Sequence, residues 1–447
     1  MRLTILNLTE ETISCRWASK QSSGTPSEAL LRPSIPSTFD FMKSCELGLL
    51  PISSRDPESK EWIVKPEKSW IRIPLVLSAL WRVIRIPDDC PWRIYLSKVA
   101  KTHHRLFVLR RRDLASFLSE LPDTLSLASL CLAGTHETNA LHGWPISQCQ
   151  ALTTPLAVQL QSGIRVIDVR LSIIDGRLIS YHGIYPQRTP FQETLTVIHD
   201  FLTAPATCRE TIVMSIKQED FARNSYLDFS RLVHEEIFNG PGGREMWFLQ
   251  NRVPSLGEVR GKVVLFSRFG GNGEGWEGGW EGLGIHPLVW PDGEKHAFTW
   301  QCKDTLVSIH DWYKIPSFLA IPEKVALATQ ILLLPPNNPP MRTLAITFLS
   351  AASFPLALPP TVAKGLGWPK WGFGVEGVNS RFVQWILNNF AGEAETTLPT
   401  PDEKIAGEGP RIRGWALMDY YDEPESALTA LLVECNYMGR RKGEEGW

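Results

Sequence analysis

Two histidines, several carboxylates and one arginine stand where apolar runs of this sequence end. The run SLCLAGT closes on His136 and Glu137, IRVIDVRL carries Asp168 and Arg170, and LISYH closes on His182. Further on, ETIVMSIKQE brings Lys217 and Glu219, GKVVLFSRF brings Arg268, VSIHDWYKI brings Asp311 and Tyr313, and GWALMDYYD brings Asp419. An imidazole titrates near neutral pH, so two histidines can divide general-base and general-acid duties. A carboxylate beside each fixes its tautomer and supports the imidazolium as it forms. Arg170 offers a planar fork of donors suited to phosphate oxygens. Together these are the groups needed to split a phosphodiester without a metal. Any one of them alone is more often a salt-bridged surface residue; their shared position is what points to a site.

Delivering polar groups from strand ends is what a parallel α/β barrel does at the carboxyl face of its strands. From Asp113 onward strand-like and helix-like segments alternate, as a parallel sheet requires. Eight strands are expected: Leu127–Ala133, Ile164–Leu171, Arg177–His182, Thr211–Lys217, Lys262–Ser267, Leu306–His310, Thr343–Ser350 and Gly414–Tyr420. Helices are expected at Pro155–Ser162, Phe191–Leu202, Tyr226–Phe238, Pro322–Leu333 and Ser380–Phe390, with Glu425–Tyr437 closing the ring. Asp175-Gly176 is a tight-turn signal between two of the strands, so the barrel should be irregular. Residues 1–112 read as a separate small β-rich module, with strands near Leu3–Leu6, Trp70–Ile73 and Trp81–Ile86 and a Ser/Pro-rich loop over Gln21–Lys60. The expected fold is therefore an irregular TIM-type (β/α) barrel over 113–447, preceded by that module.

Composition narrows the function classes. The 447 residues carry a net charge of −2, which gives no reason to expect nucleic acid. Eight scattered cysteines without CxxC spacing argue against a zinc ribbon or a dense disulfide framework. The N-terminal residues have no apolar core of signal-peptide length, and no apolar run is long enough to span a bilayer. A monomer in the cytoplasm or at a membrane periphery is the expectation. Of the 17 tryptophans, Trp276, Trp280, Trp368 and Trp371 fall in Gly-rich, loop-like sequence. Such residues are ordinarily core aromatics; as a cluster they would also suit a lipid interface.

In the order quoted above, the motifs from SLCLAGTHET through QLQSGIRVIDVRL, LISYHG, ETIVMSIKQE, GKVVLFSRF and VSIHDWYKI to GWALMDYYD resemble successive blocks of the bacterial-type phosphatidylinositol-specific phospholipase C X-domain family. The resemblance covers about three quarters of the chain, and an N-terminal β module ahead of such a domain resembles fungal phospholipase-C-like phosphodiesterases. It implies that His136 is the general base on the inositol 2-hydroxyl, that Asp419 orients it, and that His182 protonates the departing diacylglycerol oxygen. It further implies that Arg170 binds phosphate beside Asp168, and that Lys217, Arg268, Asp311 and Tyr313 contact inositol. The implied partner is a phospholipid at a membrane surface, the product a cyclic inositol phosphate that is then hydrolysed more slowly, and no cofactor or metal is implied. Glu137 departs from the pattern: the family has Asp at this position, supporting the acid, and an extra methylene displaces the carboxylate by about one C–C bond. A misplacement on the order of 1 Å can be costly in catalysis. Two other readings stay open. One is a metal-dependent glycerophosphodiesterase-like barrel, which Arg170 opposes by placing a fixed charge where the metal would sit. The other is a weakened barrel that binds inositol lipids without turnover, which Glu137 alone supports.

Overall fold

The computed structural model describes residues 2–17, 26–41, 46–51, 60–65, 80–219, 225–334, 342–368, 373–395 and 411–438. Two compact units emerge. One comprises residues 1–112 with 367–376 and 380–406; the other comprises 113–366, 377–379 and 407–447.

The first unit contains a five-stranded sheet, in the order Ser37–Asp40, Arg2–Asn7, His103–Arg110, Trp92–Lys98, Trp81–Ile84. It also contains a four-stranded sheet, in the order Ser27–Leu31, Ile13–Trp17, Leu47–Pro51, Trp62–Val64. Leu3, Ile5, Ile94 and Val108 from the first sheet share a buried core with Ile13, Leu47, Leu49 and Trp62 from the second. The described residues of the stretch expected as loop over Gln21–Lys60 thus hold three strands. Ser27–Leu31 and Ser37–Asp40 bury little and alternate polar residues on both faces, so pairing with neighbours makes them strands, not any apolar pattern of their own. Trp81–Ile84 is a strand as expected; Trp70–Ile73 lies outside the described residues. From Ser380 onward the helix Val378–Glu395, expected among the barrel helices, groups with this unit, where the Trp81 indole donates to the Ser380 carbonyl at 2.9 Å.

The second unit is the barrel. Among the described residues seven parallel staves run Val263–Arg268, Ile212–Gln218, Ile164–Ile174, Cys131–Thr135, Gly414–Met418, Arg342–Phe348 and Thr305–His310 in spatial order. No ladder joins the first of these to the last among the described residues; the short strand Trp247–Phe248 flanks one edge and Phe298–Cys302 the other. Arg177–His182, counted among the eight strands, is a strand as expected, joined by the expected hairpin-like link, but it is not a stave. Arg177–His182 folds back antiparallel on Ile164–Ile174, turning at Asp175 (φ 50°) and Gly176 (φ 75°), and pairs on with Tyr185–Pro190. The two-residue turn accounts for this, since a parallel return needs a crossover of a dozen residues or more.

Side chains alternate across each stave, and that period places the chemistry. Leu132, Val166, Val213, Val264 and Phe266, Val307 and Ile309, and Trp415 and Leu417 fill the interior. Continuing by twos toward the carboxyl ends reaches His136, Asp168 and Arg170, Lys217 and Glu219, Arg268, Asp311, and Asp419. The candidate residues are the interior face of the barrel continued past its apolar layers. Register keeps them level: Arg170 pairs with Lys217, and Lys217 with Arg268, across three adjacent strands. Gly134 lets the Cys131–Thr135 stave fit, because a Cβ there would stand 2.8 Å from the Val166 carbonyl oxygen. At the amino end, buried Arg165 pairs with Glu210 at 2.8 Å and donates to the Leu160, Ile164 and Ala115 carbonyls, a charge kept only because each donor is met.

Candidate active site

Ten of the eleven strand-end residues line one cavity of about 580 Å³ at the carboxyl face: His136, Glu137, Arg170, His182, Lys217, Glu219, Arg268, Asp311, Tyr313 and Asp419. The eleventh, Asp168, is fully buried directly beneath Arg170.

His136 follows the first stave, its backbone N–H bonded to the Met418 carbonyl. The Gln150 amide spans the His136 and Met418 carbonyls at 2.9 and 2.8 Å, locking the ends of two staves together. The imidazole Nδ1 stands 2.8 Å from Asp419 Oδ1, and Nε2 stands 2.8 Å from an Arg170 guanidinium nitrogen. An acceptor at Nδ1 and a donor at Nε2 select the Nδ1–H tautomer, leaving the Nε2 lone pair toward the cavity. Burial first, then the Arg170 charge, hold His136 well below the ordinary imidazole pKa, so the ring is neutral at neutral pH. Asp419 is held in turn by Asn379, which donates to the Asp419, Tyr420 and Glu423 carbonyls.

His182 closes the hairpin arm rather than a stave, so the second histidine reaches the mouth from outside the ring. Its Nδ1 lies 3.2 Å from Glu137 Oε2 and 3.0 Å from the Ser147 carbonyl oxygen. The other carboxylate oxygen of Glu137 lies 2.7 Å from Arg170 Nη1. One carboxylate therefore bridges the second histidine and the arginine. The Glu137 backbone has a positive φ of 44°.

Arg170 is held at every nitrogen: Nε bonds Asp168 at 3.0 Å, Nη1 bonds Glu219 and lies against Glu137, and Nη2 meets His136. Burial alone would raise the Asp168 carboxyl, but the Arg170 and Arg268 charges outweigh it and hold the group well below the usual range. Lys217 bonds Glu219 at 2.8 Å. Arg268 lies 3.7 Å from the centre of the Trp290 ring, whose indole N–H bonds Asp311 at 2.8 Å. Among the described residues Arg268 Nε and Nη1 have no hydrogen-bond partner, with Asp168 and Asp311 only at 3.8 and 3.9 Å, so this buried guanidinium keeps donors for an anion. Tyr313 sits at the rim, its hydroxyl bonded to Asp292. Every residue proposed from sequence is thus placed at this one centre.

Sequence reasoning missed Trp290, Asp292 and Cys149. Trp290 and Asp292 lie in a loop with no apolar period to place them. Cys149 lines the cavity from the loop after His136, and nothing in its neighbours signals a role. Trp276 and Trp280, which a lipid-facing cluster would have turned outward, face inward: Trp276 packs on Phe269 and His234, and Trp280 on His286. The side chains of Trp368 and Trp371 lie outside the described residues.

Residues 134–269 match the family described as phosphatidylinositol-specific phospholipase C, X domain. That span holds both histidines, Glu137, Asp168, Arg170, Lys217 and Arg268; Asp311, Tyr313 and Asp419 lie beyond it. A 1-phosphatidylinositol phosphodiesterase of Listeria monocytogenes is 32% identical over 160 residues, covering 34% of this chain and 48% of that protein. One from Staphylococcus aureus is 29% identical over 163 residues, covering 35% of this chain and 51% of its own length. The chain spans about half the length of the curated relatives it matches. A solved phosphatidylinositol-specific phospholipase C from S. aureus superposes with a TM-score of 0.52 at 19% identity, over 72% of this chain and 97% of that one. This likeness shows the barrel fold.

Proposed function

We propose that the chain cleaves the phosphodiester of phosphatidylinositol, or of a related inositol glycolipid, without a metal. One observation carries the reading: two His–carboxylate pairs, His136–Asp419 and His182–Glu137, face one cavity on either side of Arg170. His136 Nε2 removes the proton from the inositol 2-hydroxyl, whose oxygen then attacks phosphorus. The bond from phosphorus to the diacylglycerol oxygen breaks as His182 delivers a proton to that oxygen. A cyclic inositol phosphate and diacylglycerol result. Water then opens the ring with the two histidines exchanging roles. Arg170 exchanges its contact with His136 Nε2 for a phosphate oxygen, which frees the base as substrate binds. Arg268, with open donors, meets a second oxygen or an inositol hydroxyl, and Lys217, Asp311 and Tyr313 contact the ring. The test is release of cyclic inositol phosphate from phosphatidylinositol vesicles in the presence of chelator; no release from folded protein would defeat the reading.

Glu137 also provides the test of the weakened-barrel alternative. Glu137→Ala should lower turnover by about tenfold or more, because His182 loses its carboxylate and Arg170 one of its anchors. Glu137→Asp should lose less, since the shorter side chain keeps the charge. An unchanged rate in Glu137→Ala would remove this residue from the mechanism.

The substrate's membrane also has a counterpart. Loops after the stave ends and at the hairpin arm expose large apolar side chains: Trp144 and Phe354 are 72% and 74% exposed, and Ile184, Leu288 and Val289 are similar. With a net charge of −2, attachment by such side chains is favoured over attraction to anionic lipid. Burying one is worth about 1.5–3 kcal/mol. Trp144→Ala with Phe354→Ala should therefore weaken vesicle binding by roughly tenfold or more. Hydrolysis of soluble cyclic inositol phosphate should stay the same, and co-sedimentation with vesicles checks the difference.

A further inference from the structure

Cys149 is fully buried, yet its surroundings are not those of a structural thiol. Its Sγ stands 3.7 Å from His182 Nδ1, which is itself 3.2 Å from Glu137 Oε2. On its other side lie His136 and Asp419. Two clusters of ligand-type side chains with converging donor atoms occur among the described residues. One is Glu137, Cys149 and His182; the other is His136, Cys149 and Asp419; in each the donors lie within 4.8 Å of one another. Both contain Cys149.

We infer that Cys149 makes this centre an inhibitory site for a soft divalent cation, Zn²⁺ foremost, held by Cys149 Sγ, His182 Nδ1 and a Glu137 carboxylate oxygen. Zinc takes thiolate sulfur at about 2.3 Å and imidazole nitrogen or carboxylate oxygen at about 2.0–2.2 Å. Tetrahedral angles then separate sulfur from nitrogen by roughly 3.6 Å and nitrogen from oxygen by roughly 3.3 Å. The existing gaps of 3.7 and 3.2 Å need adjustments on the order of only 0.1 Å, and the sulfur–oxygen gap, within 4.8 Å, must close to roughly 3.6 Å. Oxygen-preferring cations gain nothing from the thiol, so Mg²⁺ and Ca²⁺ should not compete. Burial first, then the Asp419 and Glu137 charges, keep the thiol protonated well above the ordinary range. The cation displaces that proton to solvent, and thiolate plus carboxylate balance its two charges. His182 then carries its remaining proton on Nε2, and with the metal on Nδ1 it cannot become the imidazolium that serves as acid. Glu137 is drawn from Arg170 as well. Only the loss of turnover depends on the proposed phosphodiesterase reading; the binding does not.

Metal uptake and turnover are therefore measured separately on the full chain. Co²⁺ should produce a thiolate-to-metal charge-transfer absorption, and calorimetry should show one equivalent of Zn²⁺ bound. Cys149→Ser should abolish that absorption and weaken Zn²⁺ binding at least tenfold, as should His182→Gln, whose side chain is partly exposed and whose loss the fold should tolerate. Vesicle hydrolysis by the wild type should stop with Zn²⁺ and return with chelator, whereas whatever activity Cys149→Ser has should no longer respond. Zn²⁺ affinity unchanged in both variants, with no charge-transfer absorption in the wild type, would overturn the inference. Absorption and Cys149-dependent binding in a protein that cleaves no phosphatidylinositol would uphold the site and defeat the functional reading instead.

Discussion

His136→Ala and His182→Ala should each slow cleavage of phosphatidylinositol by at least ~10²-fold, the lower range for losing a general base or acid. What separates the two is the leaving group. A substrate with a more acidic leaving alcohol needs little protonation, so it should restore much of the rate to His182→Ala. The same substrate should do nothing comparable for His136→Ala, because the 2-hydroxyl still has to lose its proton. The pH profile adds a second check. His136 acts through its neutral form, and burial followed by the Arg170 charge keeps that form present down to acid pH. Activity is thus present above the depressed pKa and lost as pH falls through it. The acid limb of kcat/KM should lie below pH 6.5, the free imidazole value, and should vanish in His136→Ala. Equal rescue of the two variants would mean the acid and base are wrongly assigned.

Much of this centre was legible in the sequence because barrel strands have a period of two. A residue two positions beyond a buried Leu132–Gly134 pair, or beyond Val213–Ser215, must point into the same space, so strand-end polar residues converge without any knowledge of loops. The stave count failed for a related reason. Arg177–His182 has the apolar content of a stave, and only its two-residue link reveals an arm that turns back. The arm matters to function, since it carries His182 over the mouth instead of up through it. Loop residues had no such period. Trp290 supports Arg268 and Asp311 from a segment whose path depends on tertiary contacts, and Cys149 is brought to His182 by a loop that closes on Ala140 and Tyr420 through backbone hydrogen bonds. The strands over Gln21–Lys60 were hidden because their stability comes from neighbours across the ladder.

Activity should persist undiminished in excess EDTA and gain little from Ca²⁺ or Mg²⁺, and the reason lies in what surrounds Arg170. Cleaving the diester builds negative charge on the non-bridging oxygens, which a cation or fixed donors must meet. Glu137, Asp168 and Glu219 surround the Arg170 guanidinium at 2.7, 3.0 and 3.3 Å. Its charge is already neutralised and oriented by these three groups, so the fork stands ready and sheds no tightly held hydration shell. Arg170→Lys should therefore fall by ~10²–10³-fold, the range for losing a preorganised donor to developing charge. An ammonium radiates its three donors from one atom, so it cannot hold these carboxylates and also present a planar two-pronged contact to phosphate. Arg170→Asp would leave four carboxylates together, and any activity regained with Ca²⁺ in that variant would show that the arginine stands where a cation otherwise works. The decisive measurement is turnover on phosphatidylinositol vesicles by the purified wild type, with and without chelator. Complete loss in EDTA, restored by one divalent ion, would sink the metal-free mechanism and favour a metal-dependent glycerophosphodiesterase-like reaction. Protection from Zn²⁺ by the same EDTA would instead raise the rate, so the sign of the chelator's effect separates a required metal from an inhibitory one.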